Sequence, residues 1–301
     1  MNNVTVIGSI NLDRSIRTPR MAKGGETIHI NESFSAGGGK GANQAVAAKR
    51  LGADTHFIGA IGEDDAGKMM MELLAEEKID LSGVEKLLRT STGQAYVIVS
   101  DDGENSIYVL GGANMQLAPK HVKSHADLIA ASNWIVAQFE APLDSTIRAF
   151  EIAKQNGVAT LLNPAPALDE IPTELLKLTD LIIPNETETE ILTGIKVTDE
   201  SQMQKAAVKL HSLGVKAVLI TLGSHGTFYS YQGETGIVPA FKVKAIDTTA
   251  AGDTFIGALS SKLKPDLSNL TDAIRFSNRA SSITVQRLGA QPSIPYLNEL
   301  D

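Results

Sequence analysis

The chain has 301 residues, 43% of them apolar, which is enough for a sizeable core and argues against a disordered chain. Its 27 basic and 35 acidic residues leave a formal charge of -8, which argues against nucleic acid or an anionic membrane surface as partner. With no cysteine there is no disulfide, no thiolate metal site and no cysteine nucleophile, a composition that fits a reducing compartment.

Met1-Asn2-Asn3 leads straight into residues 4–10, a run that predicts a first strand rather than the basic head of a signal peptide. No uninterrupted apolar run of about 18 residues follows, so no membrane span is predicted and a cytoplasmic protein is expected. Asn11 and Asp13 come directly after that strand. An amide and a carboxylate two residues apart point the same way and suit neighbouring hydroxyls, although Asn-x-Asp is also common in turns. Residues 14–36 carry little helical periodicity. Gly37-Gly38-Gly39-Lys40-Gly41-Ala42-Asn43 opens a helix, predicted over 43–51 and ended by Gly52, so its backbone can approach a polar ligand with Lys40 and Asn43 as donors. The run loosely matches a dinucleotide fingerprint, but residues 31–36 make a poor strand before it. Nor is it a P-loop, because Gly41 follows Lys40 where Ser or Thr is needed.

Residues 55–61 predict the next strand. Residues 93–110 read as two strands, 94–99 and 105–110, joined by the turn Asp101-Asp102-Gly103. With 14–36 they form either a small flap over a cleft or edge strands of the main sheet. His121 and His125 have the i, i+4 spacing of some zinc sites, but Val122 stands where such motifs carry Glu and no third ligand is evident. Strands at 134–139, 158–162, 181–183 and 215–221, separated by helical patterns, complete a doubly wound, mostly parallel sheet. Glu140 follows one of these strands as Asn11 follows the first. Asn185-Glu186-Thr187-Glu188 begins a helix, where carboxylates complement the dipole and Glu188 can also position a water on hydrated Mg2+. Thr221-Leu222-Gly223-Ser224-His225-Gly226 ends a strand in a glycine turn compatible with phosphate.

The most informative stretch runs from Asp247 to Phe255. Phe255, Ile256, Ala258, Leu259 and Leu263 have helical spacing, so Ala250, Ala251, Gly252 and Asp253 lead into or form the first turn. First-turn amides lack internal partners, and small side chains leave them open to a phosphoryl group, with Asp253 beside them to take a proton from an attacking hydroxyl. Asp at a helix start is also an ordinary cap. No G-x-S-x-G elbow supports a serine hydrolase.

Seven segments in this order resemble the ribokinase/PfkB family of carbohydrate kinases: 8–13, 38–48, 163–167, 184–188, 221–224, 247–255 and 289–293. The resemblance runs from Val4 to about Pro295. It implies one α/β domain over residues 1–301, with a β lid built from about 14–36 and 93–111 that also forms a homodimer. It implies transfer of the ATP γ-phosphoryl group to the 5-hydroxyl of D-ribose, with 2-deoxyribose, another pentose or a nucleoside as alternative acceptors and a silent sensor as a more distant one. Residue by residue, Asn11, Asp13, Gly38, Gly39, Lys40, Asn43 and Glu140 would hold the sugar. Asp253 would be the base and Ala250, Ala251 and Gly252 the anion hole. Asn185, Glu188, Thr221, Gly223, Ser224, Gly226 and Asn278 would serve ATP and Mg2+. Asp247, Thr249, Thr284, Arg287, Gly289 and Ser293 would hold K+, several through carbonyls. Two positions depart from the family pattern: Ile256, where Asn is common and a polar contact near sugar or phosphate would be lost, and His225, where Arg is frequent.

Overall fold

Strands buried on both faces read as unbroken apolar runs, and in this chain their alternate residues feed two separate cores. Val4 and Val6, Trp134 and Val136, and Leu161 join one apolar cluster, while Ile7, Ile135, Ala137 and Leu162 join the other. The computed structural model, which describes residues 1–300, places a nine-stranded sheet between these clusters.

In chain order the first elements are β1 (Asn3–Ile7), β2 (Asn11–Thr18), β3 (Glu32–Gly38), α1 (Lys40–Arg50), β4 (Asp54–Gly62), α2 (Asp65–Glu76) and β5 (Asp80–Leu87). Next come β6 (Gly93–Ser100), β7 (Asn105–Leu110), α3 (Pro119–Ser124), α4 (Ala126–Ala130), β8 (Trp134–Ala137), α5 (Leu143–Gln155), β9 (Ala159–Leu162) and α6 (Thr173–Lys177). The last are β10 (Leu181–Ile182), α7 (Glu186–Thr193), α8 (Glu200–Ser212), β11 (Ala217–Thr221), β12 (Thr227–Tyr231), β13 (Glu234–Val238), α9 (Ala251–Lys262) and α10 (Leu270–Thr284). The large sheet has the order β13-β12-β11-β10-β9-β8-β1-β4-β5, and only β12 runs against the rest, so its pairings with β11 and β13 are antiparallel. Beside β1 the order reverses, with β8 on one flank and β4 on the other. That is where an open α/β sheet leaves a crevice at its carboxyl edge.

The segments that break the β/α rhythm pair with one another instead of with the main sheet. They form a separate four-stranded sheet, β3-β2-β6-β7, which settles the choice between flap and edge strands in favour of a distinct sheet. Several boundaries differ from expectation by one to three residues, among them the strand read over 134–139, which ends at Ala137, and the one read over 215–221, which begins at Ala217; two differences bear on the site. The first strand ends at Ile7 rather than at residue 10, because the chain turns out of the main sheet at Gly8, and Asn11 and Asp13 belong to β2 of the small sheet. The helix after the glycine run begins at Lys40 rather than Asn43, since Gly39, with φ 87°, already acts as its cap.

Candidate active site

Asp253 lies in the first turn of α9 and is 8% exposed. Burial raises the proton affinity of its carboxyl above the usual carboxylate range; the Lys40 charge and two amide donors oppose that rise. Those donors are Asn43 Nδ2 to Oδ2 and Gln44 Nε2 to Oδ1, each at 3.0 Å, both from α1. Ala250 caps α9 in the left-handed region (φ 59°, ψ 10°), a conformation that costs a non-glycine residue about 1 kcal/mol. The Ala251 N–H turns back to Thr248 O at 3.2 Å, which leaves the Gly252 and Asp253 amides at the helix start without an i−4 partner. A buried carboxylate therefore adjoins open donors at the positive end of a helix.

Opposite this turn the small sheet and α1 bring further polar groups. Asp13 Oδ1 and Asn43 Oδ1 are buried without a hydrogen-bond partner in the protein, the pattern of groups that await a ligand's hydroxyls. Asn11 Oδ1 is held by Asn114 Nδ2 at 2.7 Å, and Asn114 Oδ1 also accepts from the Ile10 amide at 2.9 Å. Gly39 has no room for a side chain, because a Cβ there would meet Asn11 N at 2.9 Å. Glu140, at the strand end where it was expected, has one oxygen already committed. Its Oε2 accepts from Ser9 Oγ at 2.5 Å and from the Lys40 amide at 3.0 Å, so half of this carboxylate anchors the start of α1.

The segments read for the nucleotide lie farther along the same edge of the sheet. Asn185 and Glu188 form a reciprocal capping box on α7, with both bonds at 2.8 Å. Burial raises the Glu188 carboxyl above its ordinary range, a rise opposed by the Asn185 amide and by Lys40 and assisted by Asp253. Thr221, the last residue of β11, forms a parallel β-bridge with Asn185, and Gly223, Ser224 and His225 make the short turn that Gly226 closes with φ 104°. Both ends of the Asn278 amide are engaged. Its Oδ1 accepts from Thr227 Oγ1 at 3.0 Å, and its Nδ2 reaches the Val238 and Pro239 carbonyls at 3.1 and 3.2 Å, so it braces the wall behind the turn.

Asp247 ties two loops together. Its Oδ1 accepts from Thr249 N and Oγ1 at 2.9 and 2.6 Å and its Oδ2 from Gly289 N at 2.9 Å. Burial works against the charge of this carboxyl, yet these donors outweigh it and hold its pKa below the ordinary value. Around it the Thr284 and Ser293 hydroxyls donate to Thr254 Oγ1 and Ala290 O and keep lone pairs on their oxygens, whereas Arg287, paired with Glu299, has only its main-chain oxygen to offer a cation. Ile256 is 2% exposed within the apolar cluster under α9, so this position faces the core rather than the sugar or phosphate.

Comparison with known proteins decides what this arrangement belongs to. The family model described as pfkB family carbohydrate kinase matches residues 1–297. The chain is a member of the pfkB family of carbohydrate kinases. This kinase is 50% identical over 301 residues to a protein named ribokinase from Staphylococcus aureus, covering 100% of this chain and 99% of the relative. It is 47% identical to the ribokinase of Haemophilus influenzae, covering 98% and 96%. The solved structure of Arabidopsis thaliana ribokinase complexed with ribose and ATP superposes with a TM-score of 0.93 at 34% identity, covering 99% of this chain and 97% of that one.

Several residues of the kinase's site escaped the sequence reading. Asn114 lies in a 3₁₀ turn with no pattern to mark it, and Ser9 and Gln138 read as ordinary strand-end residues. Gln44 did carry a signal, since a fully buried amide stands among Ala42, Ala45, Val46, Ala47 and Ala48 in the middle of α1.

Asp13 gives the kinase a pH-dependent cost. Burial first, then the Glu140 and Asp253 charges, pushes its carboxyl up to about 7 from 3.8. Between those values the folded chain binds more protons than the unfolded one, so this group lowers stability as pH rises through the window and leaves a constant penalty above it. Asp13→Asn is therefore expected to raise the melting temperature of the sugar-free protein at about pH 8, with a gain that shrinks as the pH falls towards about 5. A gain that grew on acidification would contradict this assignment.

Proposed function

We propose that this chain transfers the γ-phosphoryl group of ATP to the 5-hydroxyl of D-ribose. The observation that carries this reading is the buried Asp253 carboxylate placed beside free helix-start amides and facing the unpartnered oxygens of Asp13 and Asn43. A pentose is neutral and rich in hydroxyls, so unpaired amide and carboxylate oxygens suit it better than a basic patch would. The two ribokinases at 50% and 47% identity and the relative bound to ribose and ATP support the same acceptor.

In this reading Asn11, Asp13, Gly38, Gly39, Lys40 and Asn43 orient the sugar, with Glu140 fixing the Lys40 amide. Asp253 withdraws the proton from the attacking hydroxyl, and the Ala250–Gly252 turn receives the migrating charge on its open amides, Gly252 among them, while the Ala251 N–H holds the turn through Thr248 O. The turn at Thr221, Gly223, Ser224 and Gly226 lines the nucleotide, and Asn278 supports it. Among the described residues no cluster of three acidic or histidine side chains forms a cage for a metal. Glu188 and water with the triphosphate would hold Mg2+, which in such sites is bound largely through phosphates and neutralises their charge. K+ fits the loops that Asp247 ties together, through its carboxylate and the carbonyls of Thr249, Thr284, Arg287, Gly289 and Ser293, and would add positive potential near the anion hole. Among the described residues no helix is long and apolar enough to cross a membrane, and we place the protein in the cytoplasm.

The same reading treats the chain as one domain whose lid comprises 14–36 and 93–111 and pairs with a second copy. Phe34, Val97 and Ile107 lie in one cross-strand row through Ser15, and Phe34 and Ile107 are 51% and 60% exposed, an apolar row that a partner sheet would cover. Sedimentation of the purified chain should give twice the chain mass, and a single-chain mass would remove the dimer.

A coupled assay of ADP release tests the activity, with D-ribose, 2-deoxyribose, other pentoses and nucleosides as acceptors. Ribose should give the highest kcat/KM, and turnover should rise when K+ replaces a large organic cation at equal ionic strength. A faster reaction on another acceptor would overturn the ribose reading. An unchanged rate would remove the potassium site alone.

A further inference from the structure

We propose that Gln44 is a positioning residue for the base, and that its amide is held in the donating sense by a relay of buried side-chain amides that begins at a main-chain carbonyl. The inference rests on Asp253 being the base, as proposed above. It starts at Ile183 O, which accepts from Asn163 Nδ2 at 3.1 Å. A carbonyl can only accept, so Asn163 must present its NH2 there and turn Oδ1 the other way. That oxygen receives Gln44 Nε2 at 3.2 Å, and the same nitrogen donates to Asp253 Oδ1 at 3.0 Å. Gln44 Oε1 then faces away from the carboxylate and accepts from Gln138 Nε2 at 2.6 Å. Each amide in the chain fixes the sense of the next, and the last fixed bond points at the base.

Gln44 and Gln138 are 0% exposed and Asn163 is 7% exposed, so Gln44 has no surface with which to touch sugar or nucleotide. Its effect has to pass through Asp253. A buried amide in an alanine-rich helix is costly unless all of its bonds are made, and a flipped Gln44 would set oxygen against oxygen at the carboxylate. Asn43 supplies the other donor, but its Oδ1 is buried without a partner, whereas Gln44 is locked from behind. Lys40 on α1 also favours the charged base. Glu140 after β8, Asp13 on β2 and Glu188 on α7 oppose it. In this balance the relay contributes a donor that neither substrate binding nor solvent can displace.

The test is the pH profile of kcat at saturating ribose and ATP for the full chain and for Gln44→Leu, Asn163→Leu and Asp253→Asn. Loss of a donor to a buried carboxylate should move the acid limb of Gln44→Leu upward by about one pH unit and lower kcat on that limb by about tenfold, with the KM for ribose within about twofold of the parent. Asn163→Leu should shift the limb the same way by less. Asp13, whose carboxyl is pushed up to about 7, also titrates across the profile, so the measurements are repeated with Asp13→Asn, and the shift must persist. An acid limb that stays in place overturns the inference even if kcat falls, since a purely structural glutamine would lower the rate at every pH. Should Gln44→Leu yield no folded protein, the Asn163→Leu limb decides alone. The base assignment fails separately, by near-parental turnover in Asp253→Asn.

Discussion

Asp253→Asn is expected to lower kcat by at least about a hundredfold, because a positioned general base contributes about 10² to 10⁴ in rate. The substitution keeps the size of the side chain but removes the site for the proton. It also creates a local conflict, since Asn43 Nδ2 and Gln44 Nε2 both donate to this carboxyl and an amide in its place can accept at only one of its two positions. Part of the loss could then be misplacement, so Asp253→Ala belongs in the same experiment. ATP binding, measured by calorimetry, should remain within about threefold in both variants, because the glycine turn after β11 is untouched. Two variants with equally low kcat and intact nucleotide binding would identify the lost group as the proton acceptor. Turnover near the parent value in either one would leave the site without a base.

Gly257→Ala should damage folding and catalysis together. One turn after Asp253, α9 presses Gly257 against α1, and a Cβ at this glycine would lie 2.4 Å from Ala47 Cβ and 2.6 Å from both Ala48 N and Gln44 O. Two of those three atoms are backbone, so neither helix can yield by rotating a side chain. Overpacking of this kind costs about 1 to 3 kcal/mol, to be read from denaturant unfolding. The same displacement would draw the Asp253 carboxylate away from Asn43 and Gln44. A misplacement of about 1 Å at a reacting group can cost about a hundredfold in rate, so kcat should fall well beyond what the unfolded fraction explains. A variant that is less stable but catalytically normal once folded would show that the contact serves packing alone.

Much of the architecture was legible because the central strands are buried on both faces. Residues 134–137 and 217–221 are apolar almost without interruption, and no other element of that length and composition fits a sheet core. What went unread includes β12, beside one edge of the large sheet, and otherwise lies at edges and in the small sheet. β5, with the sequence Asp-Leu-Ser-Gly-Val-Glu-Lys-Leu, is polar because one flank has no partner strand, and β13 is half solvent-facing for the same reason. β2 carries Asp13, Arg14 and Arg17 in a small sheet with no second layer of its own, so alternation gave no clear sign of a strand.

The site divides along a similar line. Asp253, Asn43, Lys40 and Asp13 were found because their chemistry is local to a glycine turn or a strand end, and the fold does bring them together. The expectation that Asn278 lines the nucleotide, and that Glu140 holds the sugar, could be refined only by seeing which of their polar atoms are already taken. Those partners come from residues about 40 to 130 positions away in the chain, a distance over which no spacing rule operates.

The crossing of α1 and α9 also limits where this protein can change. Small residues on both helices let their backbones nearly touch, so any increase in bulk along that line displaces the base from its donors. Variants selected for heat resistance should therefore collect on the far layer, along the solvent-facing sides of α5 and α8, while the α1/α9 pair stays composed of the smallest side chains.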